Sequence, residues 1–137
     1  MNNKTIGNSF EAEFSQTLAD YGFWAYNTIN KASGQPADII ACINSRPYLI
    51  DCKVCHKDIF HLARIEENQY HAMMSFYERN NNEGCYFALK FSDESVCLCP
   101  SLPLFLALTN NIKSLTKEEI LGRGYGIPLN EWLGKQV

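Results

Sequence analysis

Residues 36–56 read PADIIACINSRPYLIDCKVCH, and this stretch leaves the chain little choice of local structure. Two apolar runs, residues 37–43 and 47–54, are separated by Asn44-Ser45-Arg46. β-Branched and aromatic residues favour strands, and Asn and Ser favour the break between them, so the stretch predicts a β-hairpin. Side chains alternate faces along a strand, which puts Asp51 and Lys53 on one face and Ile50 and Cys52 on the other. Folding the hairpin about Asn44-Ser45 brings Asp38 roughly opposite Asp51-Cys52-Lys53. Two carboxylates and one ammonium then share the end of an apolar hairpin. Charges beside a core are rare unless they are paired or hold a metal. A functional reading has to start from this cluster.

The totals set the frame around it. A chain of 137 residues can build one domain with a real core but not two. Its 46% hydrophobic and 20% charged residues are ordinary for a globular protein. No apolar run reaches the length of a membrane span, and no hydrophobic signal region follows Met-Asn-Asn-Lys-Thr, so a cytoplasmic location is expected. Six cysteines are present, but Cys42, Cys52, Cys85 and Cys97 lie in strand-like apolar runs and read as reduced core residues. The net charge of −3 argues against a general nucleic-acid coat protein and leaves room for a local basic surface. Lys31, Arg46, Lys53, Lys57 and Arg64 fall mid-chain, whereas Glu118, Glu119 and Glu131 lie near the C-terminus.

Around the hairpin the order of elements can be read from periodicity. Phe10, Phe14 and Leu18 repeat every four residues, which predicts a helix over residues 9–20 stopped near Gly22. Glu11, three residues after Asn8, reads first as a helix-start capping partner. Residues 23–29 read as a strand and residues 30–36 as a polar loop, whose Lys31, Ser33 and Gln35 precede the hairpin. A helix is predicted over residues 66–80, with Tyr70, Met73, Met74 and Tyr77 as its apolar side and Gln69 one turn in. Residues 85–91 and 95–99 read as paired strands. A short helix follows over residues 102–112, Thr116 caps another over 117–121, and residues 122–128 read as irregular. The order predicts one mixed α/β domain, with a motif-bearing core over about residues 7–99 and a C-terminal helical segment over about 100–137.

Two acids with a lysine alongside suit metal-assisted phosphodiester hydrolysis. Carboxylates are hard oxygen ligands for Mg²⁺, which often keeps open water positions. A lysine there can orient the water or stabilise the developing anion. The plainer reading is a buried ion pair of Lys53 with Asp38 or Asp51, since such networks also serve structure.

Asp38 followed by Asp51-Cys52-Lys53 resembles the PD-(D/E)xK nuclease motif, with Pro36-Ala37-Asp38 as its first half. The order Gly7–Glu11, Ser33-Gly34, the hairpin, Gln69 and the strand at 84–91 resembles the Holliday-junction resolvases, both the archaeal type and the bacterial RecU type. The resemblance covers about the first two-thirds of the chain. It implies a restriction-endonuclease-like mixed β-sheet flanked by helices. It also implies Mg²⁺ (or Mn²⁺ in its place) as cofactor and a homodimer that nicks opposed strands of a four-way DNA junction. Asp38 and Asp51 would be the main metal ligands, with Glu11 completing the acidic shell directly or through water. Lys53 would sit near the attacking water and scissile phosphate, and Gln69 would support the site. Ser33 would contact the cleaved strand. Lys31, Arg46, Lys57 and Arg64 are candidates for phosphate contacts by charge and position. The short interval between Glu11 and Asp38 leaves little room for the protruding stalk of RecU proteins.

Three rival readings exist. The same fold and motif serve restriction, repair and phage nucleases with other DNA substrates. A non-catalytic DNA-binding module on this fold would be expected to lose one of Glu11, Asp38, Asp51 or Lys53, and all four are present. Cys52 and Cys55 form a CxxC, and with His56, His61, Cys97 and Cys99 they could build a structural Zn²⁺ site, although alternation sends Cys52 toward the core.

Overall fold

The computed structural model describes residues 2–28 and 37–136. Lys31, Ser33, Gln35 and the last part of the strand expected over 23–29 lie outside the described residues. The elements are α1 (Asn3–Asp20), β1 (Trp24–Asn27), β2 (Ile39–Ile43), β3 (Arg46–Val54), β4 (Ile59–His61), α2 (Glu67–Arg79) and β5 (Cys85–Lys90). They continue with β6 (Val96–Pro100), α3 (Ser101–Thr109), β7 (Ser114–Thr116), α4 (Lys117–Gly122), β8 (Ile127–Pro128) and α5 (Leu129–Gln136).

α1 begins at Asn3, not at Ser9 as periodicity indicates. The Asn2 side chain accepts from the backbone N of Thr5 at 2.9 Å, so the cap is Asn2 and Asn8 is helix interior. The Asn8–Glu11 capping pair is therefore not formed; Glu11 lies within the helix and is buried. The end of α1 follows the expectation. Gly22 takes φ +99°, its N–H donates to Ala19, and the Phe23 N–H donates to Leu18, a Schellman closure that a left-handed glycine permits.

Among the described residues the main sheet has six strands in the order β1-β2-β3-β5-β6-β8. All neighbours are antiparallel except β3 and β5, which run parallel and are joined through α2. The β2–β3 turn forms at Asn44-Ser45, whose φ values of 51° and 64° are the two positive angles a type I′ hairpin requires. Asn and Ser accept that conformation with little strain. The register places Ile39 opposite Ile50 and Ile43 opposite Arg46.

Alternation divides the core between the two faces of the sheet. Phe10, Phe14 and Leu18 of α1 pack with Ile39, Ala41, Ile50, Cys52 and Ala88, and α5 adds Trp132 and Leu133 on that side. Leu49, Phe87 and Leu89 face the other way, against Met73 of α2 and Leu104 and Phe105 of α3. A small pair, β4 with β7, joins residues 59–61 to 114–116. Neither three-residue strand nor β8, within the stretch expected to be irregular, was legible in the local pattern, whereas α5 falls in the expected C-terminal helical segment. No helix among the described residues is long and apolar enough to cross a membrane.

Candidate active site

The acids meet where the β2–β3 ladder ends. Its last pair is Ile39 with Ile50, and beyond it the Asp38 carboxylate accepts the Cys52 backbone N–H at 2.8 Å. That N–H would otherwise lack a strand partner, so Asp38 extends the ladder with its side chain. The Asp38 carbonyl is fixed in turn by Thr28, whose backbone N donates at 2.9 Å and whose hydroxyl donates at 3.0 Å. Thr28 carries no sequence signal for this positioning role, because the contact joins residues from separate strands.

Asp51 is the most deeply buried acid, only 1% exposed. Its Oδ1 accepts from Gln69 Nε2 at 2.9 Å, and its Oδ2 lies 3.0 Å from Lys53 Nζ. Oδ2 is thus a buried carboxylate oxygen whose charge is met by the Lys53 ammonium, with the Asp38 carboxylate as its other near neighbour. Burial, followed by the charge of Asp38, raises the Asp51 carboxyl from its ordinary 3.8 to about 7, against the opposing pull of Lys53. Gln69 occupies the first turn of α2. Its side chain also completes a capping box with Glu66, so one residue both starts the helix and holds the acid.

The remaining candidates are distributed more widely. Glu11 is buried on α1, whose apolar residues pack on the Ile50–Cys52 side of β3. Lys57 and Arg64 line a cleft of about 450 Å³ with Asn3, His56 and His61, at the end of β3 nearest the acids. Lys57 is exposed with φ 58°, and Arg64 donates to the Val54 carbonyl at 2.7 Å, which fixes its guanidinium against the strand end. Arg46 is at the other end of β3, beside Glu83 and Lys135. Five residues of strand put it about 16 Å from Asp51.

Cys97 and Cys99 lie with their sulfurs 3.8 Å apart and Cys55 near them, but the CxxC is split. Cys52 packs on the α1 face, whereas Cys55, Cys97 and Cys99 belong to the opposite cluster. Burial pushes the Cys55 thiol up to about 12, although Arg64 lies close enough to oppose the shift. Metal-binding thiols are thiolates, so this environment disfavours a zinc ligand. Among the described residues no group of three or more His, Cys, Asp or Glu side chains could hold a metal alone. Mg²⁺ does not need one: it is commonly bound through one or two carboxylates, with water and substrate phosphate filling its shell. Asp38 and Asp51, two neighbouring carboxylates whose mutual repulsion a cation would relieve, fit such a hard ion.

No curated protein matches the chain. The solved structure of Archaeoglobus fulgidus Hjc, a Holliday junction resolvase from an archaeal hyperthermophile, superposes with a TM-score of 0.66 at 19% identity. The match covers 94% of this chain and 99% of that one, which shows a shared fold. A family description, archaeal Holliday junction resolvase (Hjc), matches residues 2–136. With nearly its whole length matched, the chain belongs to the archaeal Holliday junction resolvase family.

Proposed function

We propose that this family member is a Mg²⁺-dependent, homodimeric endonuclease that hydrolyses opposed phosphodiesters of a four-way DNA junction. The observation that carries the reading is the convergence of Asp38, Asp51 and Lys53, with the buried Asp51 carboxylate set between the Lys53 ammonium and a second acid. Asp38 and Asp51 would hold the cation, and Glu11 would complete the acidic shell directly or through water. A bound divalent cation supplies a lowered water pKa and neutralises charge on the phosphate.

The chain's own residues do the rest. Lys53 orients the attacking water and stabilises the charge that develops on the phosphate oxygens. Gln69, donating to Asp51 Oδ1, fixes that carboxylate's orientation and favours its ionised form. The water oxygen bonds to phosphorus as the bond to the leaving sugar oxygen breaks. The water's proton passes to solvent, and the leaving oxyanion is protonated. Lys57 and Arg64 would take flanking phosphates along the cleft at the end of β3, with Lys31, Ser33 and Arg46 as further contacts. Two strands must be cut, and each chain carries one such acid pair, which supports a symmetric dimer.

The test is cleavage of a labelled four-way junction beside linear duplex and single strand, with Mg²⁺, with Mn²⁺ and in EDTA. Paired symmetric nicks confined to the junction are expected, and Asp51→Asn should abolish them while leaving DNA binding largely intact. Equal cutting of linear DNA would discard the junction assignment. Wild-type cutting by Asp51→Asn would discard the ligand assignment.

A further inference from the structure

Among the described residues, α2 and α3 pack on the acid-bearing face of the sheet through Leu49, Phe87 and Leu89 of β3 and β5, and no strand residue of β1 or β2 joins that cluster. Ala25 packs toward α1, so Trp24 and Tyr26 project from the other face of β1, the face of Asp38 and Asp51. Trp24 is 62% exposed and Tyr26 55%, and Ile40, opposite Tyr26, adds a third exposed apolar side chain. Leaving two large aromatic rings in water is unfavourable, so a pair of them side by side marks an interaction surface.

The rings are parallel within 9°, with centroids 6.4 Å apart. Tyr26 is opposite Ile40, two residues along β2 from Asp38 on the same face, which is roughly 7 Å. Trp24, opposite Cys42, stands four residues along β2 from Asp38, roughly 13 Å, so the pair reaches outward from the acids along the sheet.

We propose that Trp24 and Tyr26 form a base-stacking platform that holds an unstacked nucleobase of the DNA substrate beside the acidic site. The proposal rests on the nuclease reading above and adds the residues that grip the branch. Nucleic acid is the occupant that fits, because a protein seated on these rings would crowd the substrate's approach to Asp38. A chain with a net charge of −3 also gains from a contact that does not depend on counterions. Bases at a branch point, where stacking is interrupted, are available to such a platform, whereas those of intact duplex are not.

The experiment uses the full chain in Ca²⁺ buffer, fluorescently labelled four-way junction, and linear duplex of the same sequence. Trp24→Ala/Tyr26→Ala is expected to weaken junction binding about tenfold or more while changing duplex binding less than about twofold. Trp24→Phe/Tyr26→Phe, which keeps both rings, should restore binding. The salt dependence of the affinity should be unchanged, because no phosphate contact is lost. Trp24 is the exposed one of two tryptophans, so junction binding should also quench wild-type emission and protect it from acrylamide. That measurement needs no variant. Unchanged junction affinity in the double alanine variant, or wild-type emission unaffected by junction, would overturn the proposal. So would dissociation of an oligomer in that variant, which would assign the rings to a second copy. Failure of wild-type protein to bind the junction would instead refute the nuclease reading.

Discussion

Asp51→Asn should make the protein more stable and inactive at once. Asp51 is 1% exposed, and its carboxyl is raised from 3.8 to about 7, chiefly by burial and then by Asp38. The folded state therefore holds a proton that the unfolded chain releases between about pH 4 and pH 7. Folding stability is highest below about pH 4 on this account, falls as pH rises to about 7, and is level beyond. A shift of about three units at roughly 1.4 kcal/mol each sets a ceiling of about 4 kcal/mol. Asparagine has the same shape, keeps an oxygen to accept from Gln69 and carries no charge against Asp38. It loses the attraction of Lys53, so the net gain at pH 8 in EDTA should be about 1–3 kcal/mol, within that ceiling. At roughly 3–4 °C per kcal/mol for a domain of this size, Tm should rise by about 3–12 °C. Thermal unfolding followed by circular dichroism at pH 8 and pH 5 measures it, and the gap should shrink at pH 5, where wild-type Asp51 is protonated. A variant less stable than wild type at pH 8, or a gap that does not narrow at pH 5, would refute this account of Asp51.

The other predictions concern the metal, the positioning amide and the scaffold. Mg²⁺ at about a hundred times its Kd should stabilise the wild type by about 3 kcal/mol at pH 8, and Asp38→Asn/Asp51→Asn should lose that effect in the same melting assay. Gln69→Ala removes a donor to the ionised form of Asp51 and should move the acid limb of the pH–rate profile upward; an unchanged limb would mean Gln69 only caps α2. Gly84→Ala should destabilise by more than 1 kcal/mol in urea unfolding, since φ is +91° and the new Cβ would lie 2.6 Å from the Pro47 carbonyl oxygen. Thr116→Ala should lose about 1 kcal/mol, because its side chain caps α4 by accepting from the Glu119 backbone N.

What the sequence determines by itself here is local. The hairpin follows from alternation on either side of a break whose Asn44 and Ser45 accept positive φ. The facing of Asp51 and Lys53 follows from the two-residue strand period. The Thr116 cap and the Gly22 stop depend on residues three or four apart. The early start of α1 is local as well, since the Asn2 side chain caps the Thr5 N–H, a signal that apolar periodicity alone passes over. What only the tertiary structure decides spans longer intervals. β4 and β7 are three residues each and become strands only by pairing across the chain. Gln69 reaches Asp51 because α2 crosses from β3 to β5, and Trp24 and Tyr26 gain their place beside the acids from the β1–β2 register. Arg46, close to Asp51 in sequence, is carried to the far end of its strand, whereas Arg64 returns to the end of β3. Short-range sterics and hydrogen bonds select each element, but only long-range burial and strand pairing choose which faces meet, and the acid site is built at such a meeting.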